Sequence, residues 1–230
     1  MHDKAQALYE LGMKNIAANK QEAVKTLLQA LAFYRQLAEE SPGRYLHPLG
    51  TTLNNLGGLY AEMNQSDEGL RYLSEALKIR YKLACEYPGR LPDLAMTWAN
   101  MGVLCSEMGN FKGAEEALQE AIKIYRAFTE PLFGARLSRL AWTLESLAKV
   151  YFATAQLETA EKTLEEALNI YRQLAADHSP QGLAELGHFL FFLGSFYEHT
   201  HRPEQAALTR SEALKILADL PPGQTMNGDS

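Results

Sequence analysis

Cysteine is nearly absent: Cys85 and Cys105 are the only two in 230 residues. That is too few for a disulfide framework, and the pair lacks metal-ligand spacing, so both are read as reduced thiols. Long apolar runs are missing as well. The longest, Phe189-Leu190-Phe191-Phe192-Leu193, falls far short of the roughly 20 residues that a membrane helix needs. The N-terminal stretch Met1-His2-Asp3-Lys4-Ala5-Gln6 carries charge where a signal peptide would be apolar, and a cytoplasmic location is expected. Positive charge is not in excess: 22 Lys and Arg stand against 28 Asp and Glu, net −6. That is the wrong sign for a phosphate backbone or an anionic bilayer, so neither nucleic acid nor membrane is an expected partner. β-branched residues are scarce and no period-two alternation recurs, which predicts no sheet. With 47% hydrophobic and 22% charged residues, the chain has the composition of an ordinary globular protein with a buried core.

What is present is a repeat. Ala30, Ala76, Ala121, Ala167 and Ala213 follow one another at steps of 46, 45, 46 and 46. A second landmark, Leu11-Gly12, Leu56-Gly57, Met101-Gly102, Leu147-Ala148 and Leu193-Gly194, recurs at nearly the same steps. A third column follows the Ala: Phe33-Tyr34-Arg35, Ile79-Arg80-Tyr81, Ile124-Tyr125-Arg126, Ile170-Tyr171-Arg172 and the divergent Ile216-Leu217-Ala218. Apolar spacing inside each unit is helical, as in Leu53, Leu56, Gly57 and Tyr60, then Leu70, Leu73, Ala76 and Leu77. Breakers separate the units at Ser41-Pro42-Gly43, Tyr87-Pro88-Gly89, Glu130-Pro131 and Ser179-Pro180. Shorter turns divide each unit at Asn64-Gln65-Ser66, Gly109-Asn110, Ala155-Gln156 and His201-Arg202-Pro203. The fold class that follows is all-α, with ten helices paired in five antiparallel hairpins.

Trp98, Met101-Gly102, Ala114 and Ala121 in the third unit, and Leu144, Leu147-Ala148, Tyr151, Ala160 and Ala167 in the fourth, carry a resemblance to the tetratricopeptide repeat, W-x2-L-G-x2-Y followed by two spaced Ala. The unit is longer than the usual 34 residues, a form similar to the repeats of kinesin light chains and of large bacterial signalling proteins. The resemblance implies one right-handed α-solenoid over residues 1–220, with repeats at about 3–42, 46–88, 92–131, 135–180 and 181–220. The tail 221–230, with breakers and no apolar period, is expected to be mobile. Two departures stand out. Unit one has Asn15 in place of the Tyr and an inner turn one residue short, and unit five has Arg210 where Leu73, Leu118 and Leu164 stand earlier. Atypical end units are common in solenoids, and Arg210 is expected to lay its stem over apolar surface with its head in water.

The resemblance also implies that the first helices of successive units line a concave groove for a partner peptide or helix. Gly57, Gly102 and Gly194 are expected to face Gly69, Ala114 and Ala206, leaving another stripe of each first helix free. Counting from the Leu-Gly landmark, that stripe contains Tyr9, Asn54, Trp142, Glu145, Lys149, His188 and Phe191, the candidate binding residues. Two placements fit Trp142 and Phe191: anchors open to a ligand, or core covered by neighbouring helices. Two also fit Glu145 and Lys149, four apart: ligand contacts, or an intrahelical pair. Asn54 is either an amide facing a peptide backbone or a solvated one. A clamp for peptide C-terminal carboxylates, held in similar co-chaperone repeats by Lys, Asn and Arg, matches only Asn54 and Lys149 and is not expected.

Chemistry is sparse. His178, His188, His199 and His201 cluster toward the C-terminus, but His199 and His201, two apart, fall on different faces of a helix and no Cys or Asp ligand spacing accompanies them. Cys85 has no nucleophile motif around it, and Cys105, at the Tyr position of its repeat, should be buried. No phosphate loop or G-x-S-x-G elbow occurs. The expectation is therefore a non-catalytic interaction scaffold or adaptor without metal or cofactor. Alternatives are a homo-oligomer, a homodimer for instance, joined through terminal helices bearing Leu214, Leu217 and Leu220 or Met13, Ile16 and Ala17, and a peptide-responsive regulator.

Overall fold

A computed structural model describes residues 1–127 and 134–220, apart from the side chain of Ala135. Among these residues there are ten α-helices and no strand: α1 (His2–Asn15), α2 (Lys20–Glu40), α3 (Pro42–Glu62), α4 (Ser66–Glu86), α5 (Leu91–Glu107), α6 (Phe111–Ala127), α7 (Gly134–Ala153), α8 (Leu157–Leu174), α9 (Pro180–His199) and α10 (Pro203–Ala218). Consecutive helices pair as five hairpins, the architecture of an all-α repeat solenoid. The chain divides into two compact units between residues 128 and 129. The first holds three stacked hairpins, α1 to α6, and the second holds two, α7 to α10. The expected break at Glu130-Pro131 and the tail 221–230 lie outside the described residues.

Small residues draw the two helices of each hairpin together. All five alanines of the first column are fully buried. A Cβ placed on Gly57 would lie 2.5 Å from Leu73 Cγ and 3.2 Å from the Gly69 carbonyl, and one on Gly102 2.6 Å from Leu118 Cγ and 3.1 Å from the Ala114 carbonyl. No side chain fits there, so the Leu-Gly landmark records close helix approach. In the last hairpin the aliphatic stem of Arg210 takes the leucine's place against Gly194. Its guanidinium reaches Glu198 and, at 3.3 Å, Ser195.

Four of the five inner turns share one stop signal. Asn64, Gly109, Ala155 and His201, each eight residues beyond its landmark, have φ of 58°, 76°, 59° and 59°. The next residue's N–H then donates to the carbonyl five positions earlier: Gln65 to Tyr60, Asn110 to Cys105, Gln156 to Tyr151 and Arg202 to Tyr197, at 2.8–2.9 Å. This left-handed closure caps the first helix of the hairpin. The first hairpin lacks it. Its missing residue comes out of the end of α1, and Asn19 instead caps α2 by accepting from the Glu22 N–H at 3.1 Å.

Between hairpins, α2 and α3 are joined by Ser41 alone, because Pro42 already occupies the first turn of α3. The second repeat therefore starts four residues ahead of the boundary expected at residue 46. Pro88–Arg90 forms a short 3₁₀ turn before α5, and the Ser179 hydroxyl caps α9 by accepting from the Gly182 N–H.

Candidate interaction surface

In the first unit, side-chain amides bridge successive first helices. Asn55 donates to the Tyr9 hydroxyl at 2.9 Å, Asn54 to the Asn55 carbonyl oxygen at 3.4 Å, and Asn100 to the Asn54 carbonyl oxygen at 3.2 Å. The chain of bonds runs from α1 through α3 to α5. Asn54, expected either to face a ligand or to be solvated, is instead buried, and its amide is used inside the fold. Position two before the landmark is where neighbouring first helices meet in the second and third repeats, so Asn54 and Ala99 are both enclosed. The half-exposed amides are the next residues along, Asn55 and Asn100.

Tyr9 is half-buried, and burial raises its phenol pKa against the opposing pull of Asn55 and Arg80. A cleft of about 380 Å³ opens beside it between α1 and the start of α3, walled by His2, Gln6, Tyr34, Arg44 and Tyr45. The Arg44 guanidinium lies 5.3 Å from the Tyr45 ring centroid, and the His2 ring 5.6 Å from it.

Behind this face lies a residue that was not singled out from the sequence. Arg80 on α4 is 2% exposed. Its Nη1 donates to the Asp93 carbonyl at 2.8 Å and to the Thr97 hydroxyl at 2.6 Å, while Nε has no hydrogen-bond partner among the described residues. Desolvation pushes its pKa down to about 10, against the attraction of Asp93. The Asp93 carboxylate meets His47 at 3.2 Å and Arg90 at 3.5 Å, and the His47 hydrogen bond first, then the charges of Arg80, His47 and Arg90, hold its pKa below the ordinary value despite burial. The third column carried the signal. Arg80 stands where Tyr34, Tyr125 and Tyr171 stand in other repeats, all buried, and Tyr81, 63% exposed, stands where those repeats have Arg.

In the second unit, Glu145 and Lys149 on α7 form the intrahelical pair, 2.7 Å apart. Glu145 also accepts from the buried Tyr171 hydroxyl at 3.2 Å. Burial, and then the Glu145 carboxylate, drives that phenol far above its usual range, so it remains a donor. The Lys149 ammonium lies 4.7 Å over the Phe192 ring of the next first helix. Trp142 and Phe191 are each half-buried, between the two expected placements, and His188 is exposed. The aromatic core of this unit is formed instead by Phe189, whose ring lies 4.7 Å from that of Tyr171, and Phe196, 5.7 Å from Phe152.

Other features fall where their chemistry puts them. Cys105 is buried, with its thiol pKa raised by desolvation, and Cys85 is exposed. His199 sits edge-on to Phe152 with Nδ1 at 2.7 Å from the Ser195 carbonyl. Among the described residues no three His, Cys, Asp or Glu side chains are grouped to hold a metal, and no helix is long and apolar enough to cross a membrane.

Family profiles described as tetratricopeptide repeat match residues 48–127 and 140–181. Protein KINESIN LIGHT CHAIN-RELATED 2 of Arabidopsis thaliana is 32% identical over 103 residues, 44% of this chain, and the match spans only 15% of that relative's length. Among solved structures, a candidate kinesin light chain of Podosopora anserina with nearly identical TPR-like repeats superimposes with a TM-score of 0.65 at 21% identity, covering 93% of this chain and 94% of the other. BtubC (BKLC) from P. vanneervenii gives 0.66 at 19% identity, over 94% and 88%. The apo form of RapI gives 0.62 at 15% identity, over 94% and 84%. At these identities the structures are similar to this chain in fold alone.

Proposed function

The chain belongs to the tetratricopeptide repeat family, in a long-repeat form similar to that of kinesin light chains, and we propose that it is a non-catalytic scaffold holding a peptide or helix of a partner protein on its first-helix faces. Repeats of this family serve as protein-interaction modules, which sets the general role. The observation that carries the finer reading is the state of the aromatic residues on α7 and α9. Trp142 and Phe191 keep part of their surface open to solvent, and exposed Lys149 and His188 share their face. Half-buried aromatics beside a few charges are the usual composition of a binding hot spot, because a rigid ring gains much contact area at little entropic cost. In the first unit Asn55 spends its amide hydrogens on Tyr9 and Met13, and half-buried Asn100 is oriented by its bond to Asn54, which uses one of its two N–H groups. An amide so held can donate to an extended backbone.

The test is affinity co-purification with the wild type beside a Trp142→Ala, Phe191→Ala double variant, with circular dichroism of both. A protein retained by the wild type and lost by an equally helical variant supports the reading. Retention of the same proteins by both overturns it.

A further inference from the structure

We propose that the outer face of α10 is a self-docking surface, on which a second copy of the chain packs its own α10 antiparallel about a twofold axis beside Ser211. On a helix with 100° per residue, Glu204, Ala207, Leu208, Ser211, Leu214, Lys215 and Ala218 fall within one arc of about 120°. All seven are exposed, Leu208 at 73% and Leu214 at 60%. Leu217 and Leu220, expected to share this surface, do not: Leu217 packs on Gly187 and Leu220 is buried.

Leu214 and Leu208 are exposed for different reasons. The equivalents of Leu214 are Leu31, Leu77, Ile122 and Leu168, each at least half-buried, so an exposed Leu214 is the ordinary condition of a last helix with no described repeat against it. The equivalents of Leu208 are Lys25, Arg71, Glu116 and Lys162, all exposed. A further repeat stacked in register would leave position 208 in water, as in the other four. Leucine there departs from a column that is charged in all four other repeats.

The face matches itself. With Ser211 at the crossing point, an antiparallel copy brings Leu208 opposite the partner's Leu214 and the reverse. The small side chains of Ala207, Ser211 and Ala218 let the two backbones approach. Glu204 lies one turn from where the partner's Lys215 falls, so two opposite-charge pairs close the ends of the contact, one at each end. One helix pair is a small interface, and the dimer is weak, with Kd on the order of tens of micromolar.

Sedimentation equilibrium of the full chain from about 5 to about 500 µM tests this. The wild type is expected to pass from monomer to dimer across that range. Leu208→Lys, which installs the side chain of Lys25 and Lys162 at a fully solvated position, should weaken association at least about tenfold with an unchanged circular dichroism melt. Glu204→Lys and Lys215→Glu also oppose the helix dipole, so each is measured alone and then mixed. Each alone should associate about tenfold more weakly, and the mixture should regain heterodimer, because only then do opposite charges meet at both ends. A wild type that stays monomeric throughout, or a dimer indifferent to Leu208→Lys, overturns the surface. Failure of the mixture to associate overturns the antiparallel register.

Discussion

The second and fourth repeats handle the same buried position in opposite ways. In the fourth, Tyr171 buries a ring against Phe189 and sends one hydroxyl to one acceptor, Glu145. In the second, Arg80 buries a cation with two acceptors at one nitrogen and, among the described residues, none at Nε. Both are at most 5% exposed. Position in the repeat therefore dictates burial, while a neighbouring first helix, that of the next repeat for Arg80 and of the same repeat for Tyr171, dictates which polar group can be tolerated there. Thr97 and the Asp93 carbonyl supply what Arg80 needs, and Glu145 supplies what Tyr171 needs.

Breaking the second repeat should have the larger effect. Arg80→Ala leaves a cavity and removes the donor to Thr97 and Asp93, costing roughly 3 kcal/mol. A urea midpoint well below that of the wild type checks it, and Arg80→Tyr, which restores the residue of the other repeats, should lose less. Tyr171→Phe keeps the ring and removes one hydrogen bond, for about 1 kcal/mol by the same measurement. Contrasting turns sharpen the comparison further. Ala155 holds a φ of 59° where the third repeat has Gly109, so Ala155→Gly should raise the melting temperature, by about 0.5–1 kcal/mol of stability. The smallest effect is confined to acid. The folded Asp93 carboxyl lies below its ordinary value, so the unfolded chain takes up that proton first as pH falls. The stability it lends is complete above about pH 5 and disappears as pH drops through the folded value. Urea midpoints of the wild type and Asp93→Asn should therefore converge in acid, and a gap that stays constant with pH would contradict the assignment.

The hairpins, the buried alanine column, the glycine contacts and the inner turns of the last four hairpins were legible, because each follows from local spacing and from proline or glycine chemistry. The azimuth of the free face was not. Asn54 and Asn55 differ by about 100° around one helix, and which of them meets the next repeat is fixed by the stacking of both helices, which no single helix records. Arg80 was visible only as a transposition, Ile-Arg-Tyr for Ile-Tyr-Arg, and arginine is almost never fully buried unless paired. Its partner Thr97 lies seventeen residues away, beyond the reach of helical periodicity. Leu208 stood in a charged column that the apolar landmarks did not include.

Side-chain bonds between hairpins join adjacent ones. Tyr9 to Asn55, Asn54 to Asn100, Arg35 to Glu75, Ser138 to Glu185 and Arg172 to Glu212 each span 40 to 47 residues. Under tension applied at its ends, such a unit is expected to yield hairpin by hairpin, as a series of small releases of length, because these bonds tie each hairpin to its neighbour. A scaffold built this way can give slack to a load without losing its whole fold, and the first hairpin, without the left-handed closure of the other four, should be among the earliest to let go.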